Sequence, residues 1–407
     1  MDIFSKLSRM LFGTNQPAFS GTSTNAPAQK QQSASPQPAQ AAKHSVPSAS
    51  LPKTQITVYD RVGAALQFPE DNFVASGKEG TVYSLPQKDD ILVKLYNRHL
   101  LDDQKKYRRN ADRLLALFKL QHKLKFEKCK KSSFALPELL VFDESKKIIG
   151  FAMYKCEGVS FRALSGIAGI KRHFPDWTRR ELALTALDFV SKLRFLQDNG
   201  VQINDFNPSN FLVDRNCNVS FIDCDSFQII DGSKTHVTNT FVPSHCAPEL
   251  LKNKSLLDLP RNIHHLEFGA AIIIFNLLMC GLHPFAYHDP SQVTACGTPE
   301  ENLLNGRCPL GVCAGCKFPL GNWYNLWSWT SHNVKGGFIR TFREGYSNPK
   351  MRTSLADWEI YLHEMIVQMN KYAERTDIFP EKPNLNAAGG KRFHSGKRVY
   401  KNLQTSI

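Results

Sequence analysis

The sequence predicts an α+β protein in which a strand-rich first part is followed by a helix-rich second part. Short runs of β-branched and aromatic residues occur at 56–60, 73–85 and 90–96 and recur at 139–144 and 148–155. Apolar residues fall at helical spacing at 102–126 and over long later stretches, of which residues 178–199 are typical, and a short pair of strands is predicted at 211–214 and 219–223. The change of character near Glu157 predicts a boundary between two lobes.

Composition narrows the class of protein. The chain has 407 residues, of which 42% are hydrophobic and 22% are charged, so it is not wholly disordered, a collagen or a coiled-coil rod. No run reaches the roughly 18 apolar residues of a transmembrane helix, and the start of the chain lacks a secretory signal pattern. We therefore expect a cytoplasmic protein. Its ten cysteines then favour reduced thiols or a metal site over a disulfide framework.

Basic residues account for a formal net charge of +14 and concentrate in residues 1–57, 94–131 and 381–407. One interpretation is a surface that contacts a polyanion or an acidic partner. The other is a solvated basic face with solubilising tails. The second is favoured because neither interleaved aromatic residues nor a nucleic-acid motif accompany the charge, so nucleic acid is not an expected partner.

Both ends of the chain are predicted to be tails. Residues 17–52 are rich in Ala, Gln, Ser and Pro, so they should form a flexible linker within an N-terminal tail at 1–55. Apolar residues in 2–12 fall near helical spacing, which predicts either a short helix that contacts a membrane surface or a partner, or a frayed start. Residues 381–407 form a basic C-terminal tail.

Five segments carry side chains suited to handling phosphate. The hairpin that contains Gly77–Gly80 would let backbone amides approach phosphate oxygens. Lys94 stands within an apolar strand, where a buried ammonium group needs an anionic partner. Carboxylates and amides mark the other three segments, at 205–210, 223–225 and 247–249. Taken singly, the glycine hairpin and the segments at 205–210 and 223–225 are also compatible with ordinary turns.

In this order and spacing the five segments resemble the protein kinase superfamily, over roughly residues 73–362. More narrowly, the chain is similar to a bacterial kinase-like family found beside phosphatase 2C-type and von Willebrand A-type proteins. The basis is CDSFQI, the HPF that follows the long apolar helix, and RTSLADW near the end. The resemblance implies a bilobal kinase-like fold, with an N-lobe at 56–157 and a C-lobe at 158–380, and partner proteins of those two types.

The resemblance also implies ATP and Mg²⁺ or Mn²⁺ as cofactors, because phosphoryl transfer depends mostly on positioning and electrostatics. It implies that Asp205 accepts or orients the proton of the attacking hydroxyl. It also implies that Lys94 bridges the α and β phosphates. Asn210 and Asp223 would hold the metal with oxygen ligands. The other implied ATP contacts are Gly77, Lys78, Glu79, Gly80, Val82, Leu92, Met153, Tyr154, Cys156 and Leu212. A buried ion pair between Glu249 and Arg352 is implied as well.

The chain departs from the kinase pattern around these residues. Ile203 and Asn204 stand where kinases usually have His and Arg, so a phosphorylated activation loop would find no cation there. Asn207 stands where serine/threonine kinases place Lys, and Cys224-Asp225 replaces a hinge that ends in glycine. Asp112 is the acid best placed by spacing to pair with Lys94.

An insertion at about residues 288–330 contains a cysteine cluster. Its C-x₂-C half suggests a tetrahedral Zn²⁺ site, whereas the other spacings are irregular. Zinc ligation and small buried cysteines both stay open as interpretations. The candidate ligands are Cys296, Cys308, Cys313 and Cys316, with His283 or His288 as substitutes.

The function we expect is phosphoryl transfer from ATP to serine or threonine hydroxyls of a protein substrate. One alternative is a pseudokinase scaffold or nucleotide-binding regulator without catalysis. Another is a kinase of small molecules on the same fold. The intact Ala247-Pro248-Glu249 segment favours a protein substrate.

Overall fold

A computed structural model of the chain describes residues 54–86, 88–127, 129–286, 288, 297–311, 318–319, 321–371 and 376–384. The tails predicted at 1–55 and 381–407, with the helix at 2–12, lie almost wholly outside these residues. The described part is a mixture of helices and antiparallel sheet, as the sequence predicts. It divides into two compact units: one holds the chain to Arg98 with Glu138–Ala152, and the other holds His99–Pro137 with the chain from Met153.

The first unit is built on a seven-stranded sheet in the order β2-β1-β6-β7-β5-β4-β3. Its interior strand β5 buries Ile91 and Val93, as its apolar sequence requires. The strands are β1 (Gln55–Tyr59), β2 (Ala65–Pro69), β3 (Phe73–Ser76), β4 (Gly80–Leu85), β5 (Lys88–Tyr96), β6 (Leu139–Phe142) and β7 (Ile148–Tyr154).

Strand β2 was missed by the sequence analysis. It pairs along its whole length with β1, from Gln55 opposite Pro69 to Tyr59 opposite Ala65. Asp60 forms the turn between them, because its carboxylate accepts hydrogen bonds of 2.9 Å from the amides of Val62 and Ala64. An Asp three residues before a Gly is a turn signal, and it marks this hairpin in the sequence.

The second unit contains the helices. The helix predicted near 102–126 is shorter than its apolar pattern, because Asp103 caps its start by accepting hydrogen bonds from the amides of Lys105 and Lys106. The helices are α1 (Arg98–Leu101), α2 (Gln104–Gln121), α3 (Gly166–His173), α4 (Arg179–Asp198), α5 (Pro248–Lys252), α6 (Ile263–Leu278), α7 (Pro299–Leu304), α8 (Trp323–Ser328), α9 (His332–Ile339), α10 (Gly345–Ser347) and α11 (Leu355–Lys371). None of the helices in the described ranges is both long and apolar enough to span a bilayer.

Two three-stranded sheets in the second unit carry the loops of interest, in the orders β11-β10-β8 and β13-β12-β9. The sequence predicted β10 and β11, and their hairpin packs on helix α4 through a ring stack of Phe221 and Phe189 with centroids 5.7 Å apart. The strands are β8 (Val159–Ser160), β9 (Val201–Gln202), β10 (Phe211–Val213), β11 (Val219–Phe221), β12 (Gln228–Asp231) and β13 (Lys234–His236).

The predicted ion pair between Glu249 and Arg352 is confirmed. Two nitrogens of the Arg352 guanidinium each donate to one oxygen of Glu249 at 2.8 Å, and the side chain of Arg352 is fully buried. Arg352 also donates to the backbone carbonyls of Gly345 and His264. Burial alone would raise the pKa of Glu249, but the hydrogen bonds and charge of Arg352 outweigh it and hold the pKa below its ordinary value.

We predict that Arg352→Met lowers the free energy of unfolding by about 3–5 kcal/mol, because it leaves Glu249 without its buried counter-charge. Urea denaturation followed by circular dichroism measures this loss. Arg194→Met is the matched control, since Arg194 pairs with Glu359 at the surface and should cost no more than about 1 kcal/mol. Equal losses in the two variants would contradict the assignment.

Candidate catalytic and phosphate-binding site

The glycine hairpin of the first unit has a fixed conformation. The amide of Gly77 donates to the carbonyl of Gly80 at 2.8 Å, and the side-chain amide of Asn97 donates to the carbonyls of Gly77 and Lys78 at 3.1 Å each. A Cβ at Gly80 would lie 2.5 Å from the carbonyl oxygen of Leu95, so only glycine fits there. Asn97 was missed by the sequence analysis. Its position just after the lysine strand is the only signal that marks it.

Lys94 lies on the same face of the sheet as two residues that the resemblance places against adenine. Val82 is directly opposite Lys94 in the β4–β5 ladder, and Leu92 is two residues earlier on β5. Lys94 is 5% exposed, and its ammonium lies 6.0 Å from the centre of the Phe151 ring. The paired strands β4 and β5 thus carry the apolar side chains of Val82 and Leu92 and the buried ammonium of Lys94. The glycine hairpin lies at the start of β4.

The loop at 205–210 belongs to the second unit. Asp205 is 8% exposed, and the side-chain amide of Asn210 donates to its carboxylate at 3.4 Å. Asn207 accepts a hydrogen bond of 3.0 Å from the amide of Ser209, so it caps the turn at Pro208–Asn210. The residue that replaces the usual lysine therefore shapes the loop.

Asp223 lies beside Asn210 because of the β10–β11 hairpin. Phe211 pairs with Phe221, and the amide of Ile222 donates to the carbonyl of Asn210 at 2.9 Å. Asp223 has φ 61° and ψ 37°, the left-handed region, which points the chain away from the strand.

Asp205, Asn210 and Asp223 are thus brought to one end of the hairpin, and their oxygens suit a hard divalent cation. Among the described residues no three His, Cys, Asp or Glu side chains form a closed metal cluster. An amide and a carboxylate on adjoining backbone segments are the ligand types of an open site, in which Mg²⁺ takes its other ligands from phosphate and water.

The segment after Asp223 is held by three hydrogen bonds. The Ser226 hydroxyl donates to the Asp223 carbonyl at 2.8 Å, and Nε of Arg113, on helix α2, donates to the Asp225 carbonyl at 2.8 Å. The thiol of Cys224 is fully buried and donates to the Phe221 carbonyl, and burial raises its pKa well above the ordinary value. Cys224 therefore acts as a small apolar anchor for this turn.

Asp112, the acid best placed by spacing to meet Lys94, has another cation beside it. Its carboxylate lies 3.3 Å from the ammonium of Lys234 on β13, and both side chains are more than half exposed. This contact and that of Arg113 join helix α2 to the chain that follows Asp223.

The predicted adenine contacts of the second unit lie on β7, on the segment after it and on β10. Met153 is 7% exposed, and Leu212 pairs with Ser160 in the β8–β10 ladder. Tyr154 ends β7. The thiol of Cys156 contacts the Ser132 carbonyl at 3.5 Å, and burial raises its pKa to about 11.

The zinc prediction falls mostly outside the described residues, where Cys296, Cys313 and Cys316 lie. Cys308 is buried, and its thiol is 3.7 Å from the Pro284 carbonyl. His283 uses both ring nitrogens within the fold: Nε2 donates to the Ser244 carbonyl and Nδ1 accepts from the Phe285 amide, as this network assigns the protons.

One buried and two partly buried histidines surround the segment that leads to Glu249. Burial lowers the pKa of His245 to about 4, that of His283 to about 3 and that of His265 to about 4. His245 is hydrogen-bonded between the Ser244 hydroxyl and the Asn276 carboxamide, and His265 lies 3.3 Å from Glu249. All three are neutral at pH 7.

Comparison with known proteins relates the chain to kinases by name. It is 30% identical over 141 residues, 34% of this chain, to protein kinase YegI of Escherichia coli O157:H7, and 27% identical over 240 residues, 58% of this chain, to protein kinase YegI of Escherichia coli strain K12. The matches span 22% and 34% of those two proteins, so the chain covers about a third of their length or less. No model of a known protein family matches. The similarity suggests a kinase-like family.

We predict that the stability of the protein falls as the pH drops from about 6.5 towards about 4. In this window the unfolded chain protonates its histidines, whose ordinary pKa is about 6.5, whereas His245, His265 and His283 stay neutral in the fold. Each pKa unit by which a histidine differs between the folded and the unfolded chain is worth about 1.4 kcal/mol of unfolding free energy. Urea denaturation at pH 7.5 and pH 5 measures the change. His245→Asn should reduce the pH dependence, and His363→Gln, at an exposed position on α11, should leave it unchanged.

We predict that Asp223→Gly folds at least as stably as the wild type. Glycine adopts the left-handed conformation without strain, whereas Asp223→Val should cost roughly 1–2 kcal/mol there. Thermal unfolding of the three proteins measures the order of stability. A large loss in Asp223→Gly would show that the carboxylate holds the fold, which contradicts its assignment to a ligand.

Proposed function

We propose that the chain transfers the γ-phosphoryl group of ATP to a serine or threonine hydroxyl of a protein. The juxtaposition of Asp205, Asn210 and Asp223 at the end of the β10–β11 hairpin carries this proposal. The similarity to proteins named protein kinase supports it. The phosphatase 2C-type and von Willebrand A-type partners, and the cytoplasmic location, stay predictions from the resemblance.

Asp205 would receive the proton of the attacking hydroxyl. Asn210 donates to it and so orients its carboxylate towards the loop. Asn210 and Asp223 would hold Mg²⁺, which neutralises the charge of the phosphates when it is bound.

Lys94 would supply the cation for the α and β phosphates, and the hairpin at Gly77–Gly80 would supply backbone amides for the other oxygens. Asn97 fixes the hairpin through the carbonyls of Gly77 and Lys78. The proposal requires these groups of the first unit to act on the same nucleotide as Asp223.

A nucleotide-binding regulator without catalysis is the second candidate. Asn207 is committed to capping its turn, and Asn204, which replaces the usual arginine, is 9% exposed and uncharged. Asn207 removes a cation from the neighbourhood of the transferred phosphate, and Asn204 removes the cation that a phosphorylated activation loop would meet. They lower the expected rate of transfer without removing a residue that binds the metal.

We predict that the purified protein transfers ³²P from labelled ATP in the presence of Mg²⁺, and that Asp205→Asn lowers kcat by about 10²–10⁴, because a general base contributes that much. Asp223→Asn should abolish transfer and weaken Mg²⁺-dependent nucleotide binding. Asp205→Asn should keep that binding, since Asp205 faces the hydroxyl.

Asp198→Asn is the control, because Asp198 is exposed at the end of α4 and should keep wild-type activity. Phosphate incorporation that persists in both site variants would contradict the assigned roles. Nucleotide binding without transfer by the wild type would favour the regulator.

A further inference from the structure

A cavity of about 160 Å³ lies in the second unit next to the loop at 205–210. Its wall brings together Phe161 and Leu164 from the turn after β8, Pro208 from the loop, His245, and Ile273 and Leu277 from helix α6. Exposed Arg162 and Ser165 also line it, so the cavity opens at their side of the unit.

The chemistry of the wall is apolar and neutral. Of its lining side chains only Arg162, at the mouth, carries a full charge, because His245 and His283 are buried and neutral. The polar side chains away from the mouth are hydrogen-bonded within the fold. His245 bonds to Asn276, whose amide donates to the Leu282 carbonyl at 2.8 Å.

A polar guest side chain would lose its water without gaining these partners. An apolar cavity of about 150 Å³ in another protein stays dry and binds benzene, so the volume suits a leucine or phenylalanine side chain.

The cavity is close to the reacting groups along the chain. Pro208 is three residues after Asp205 and begins the turn that ends at Asn210. At 3.3–3.6 Å per extended residue, at most about 11 Å of chain separates Pro208 from Asp205. A peptide whose hydroxyl reaches Asp205 would therefore lie within a few residues' length of Pro208 in the cavity wall.

We infer that this cavity receives an apolar side chain of the protein substrate, about one to three residues from the phosphorylated hydroxyl. The inference rests on the proposed function, and it names an apolar residue as the feature by which the chain selects its substrate. The side chain enters past Arg162 and packs against Phe161, Ile273 and Leu277.

The test uses peptides with one central serine in a Gly/Ala background and a single Leu, Phe, Lys, Glu or Asn at each position from three before to three after the serine. Both phosphorylation (kcat/KM) and binding of fluorescent peptides by anisotropy are measured with the full chain. The wild type should favour Leu or Phe over Asn at one position by roughly tenfold to a hundredfold, the discrimination that apolar pockets achieve.

Ile273→Ala enlarges the cavity. It should therefore shift the preference from Leu towards Phe by about tenfold. Ile272→Ala is the matched control. Ile272 is equally buried on the same helix but does not line the cavity. The Ile272→Ala variant should therefore lose comparable stability and keep the wild-type ratio of Leu to Phe preference.

The two claims fail separately. Phosphorylation without any apolar preference, or an equal shift in the two isoleucine variants, overturns the cavity and leaves the transfer standing. Binding with the Ile273-dependent preference but without phosphorylation supports the cavity and overturns the transfer. Neither binding nor phosphorylation of any peptide overturns both.

Discussion

The pairing of β10 with β11 is the constraint on which the candidate site depends. It sets Phe211 opposite Phe221, and this register alone decides that Asn210 and Asp223 leave the ladder side by side. A slip of one residue would turn the side chains of the slipped strand to the other face. The register is held by aromatic packing, since Phe189 of α4 contacts both rings at centroid distances of 5.0 and 5.7 Å. The chemistry at the end of the hairpin is therefore specified by the hydrophobic core beneath it.

Much of this arrangement could be predicted from the sequence, because its signals are local. The strands around Lys94, the capped helix after Thr178 and the hairpin at 211–221 each follow from periodicity and turn residues. The Glu249–Arg352 pair joins residues 103 positions apart, and only the resemblance to kinases pointed to it. Strand β2 was missed because ALQFP is short and ends in proline. The contacts of Asn97, Asp112 and Arg113 could not be predicted, since nothing in a sequence shows which long-range partner a polar side chain will find.

The departures from the kinase pattern acquire physical reasons in the fold. Asn207 is used as a cap, Cys224 fills a fully buried position, and Arg113 binds the backbone of the turn that contains Asp225. Each substitution exchanges a charge or a flexible joint for local rigidity. The turn after Asp223 is accordingly held by its own side chains and by helix α2, whereas a glycine hinge would leave it free to rearrange.

The burial of Cys156 has a consequence for chemical probes of this protein. A thiol whose pKa is about 11 has only about one molecule in ten thousand ionised at pH 7, and the thiolate is the reactive form. Acrylamide and chloroacetamide reagents would accordingly label the Cys156 thiol slowly.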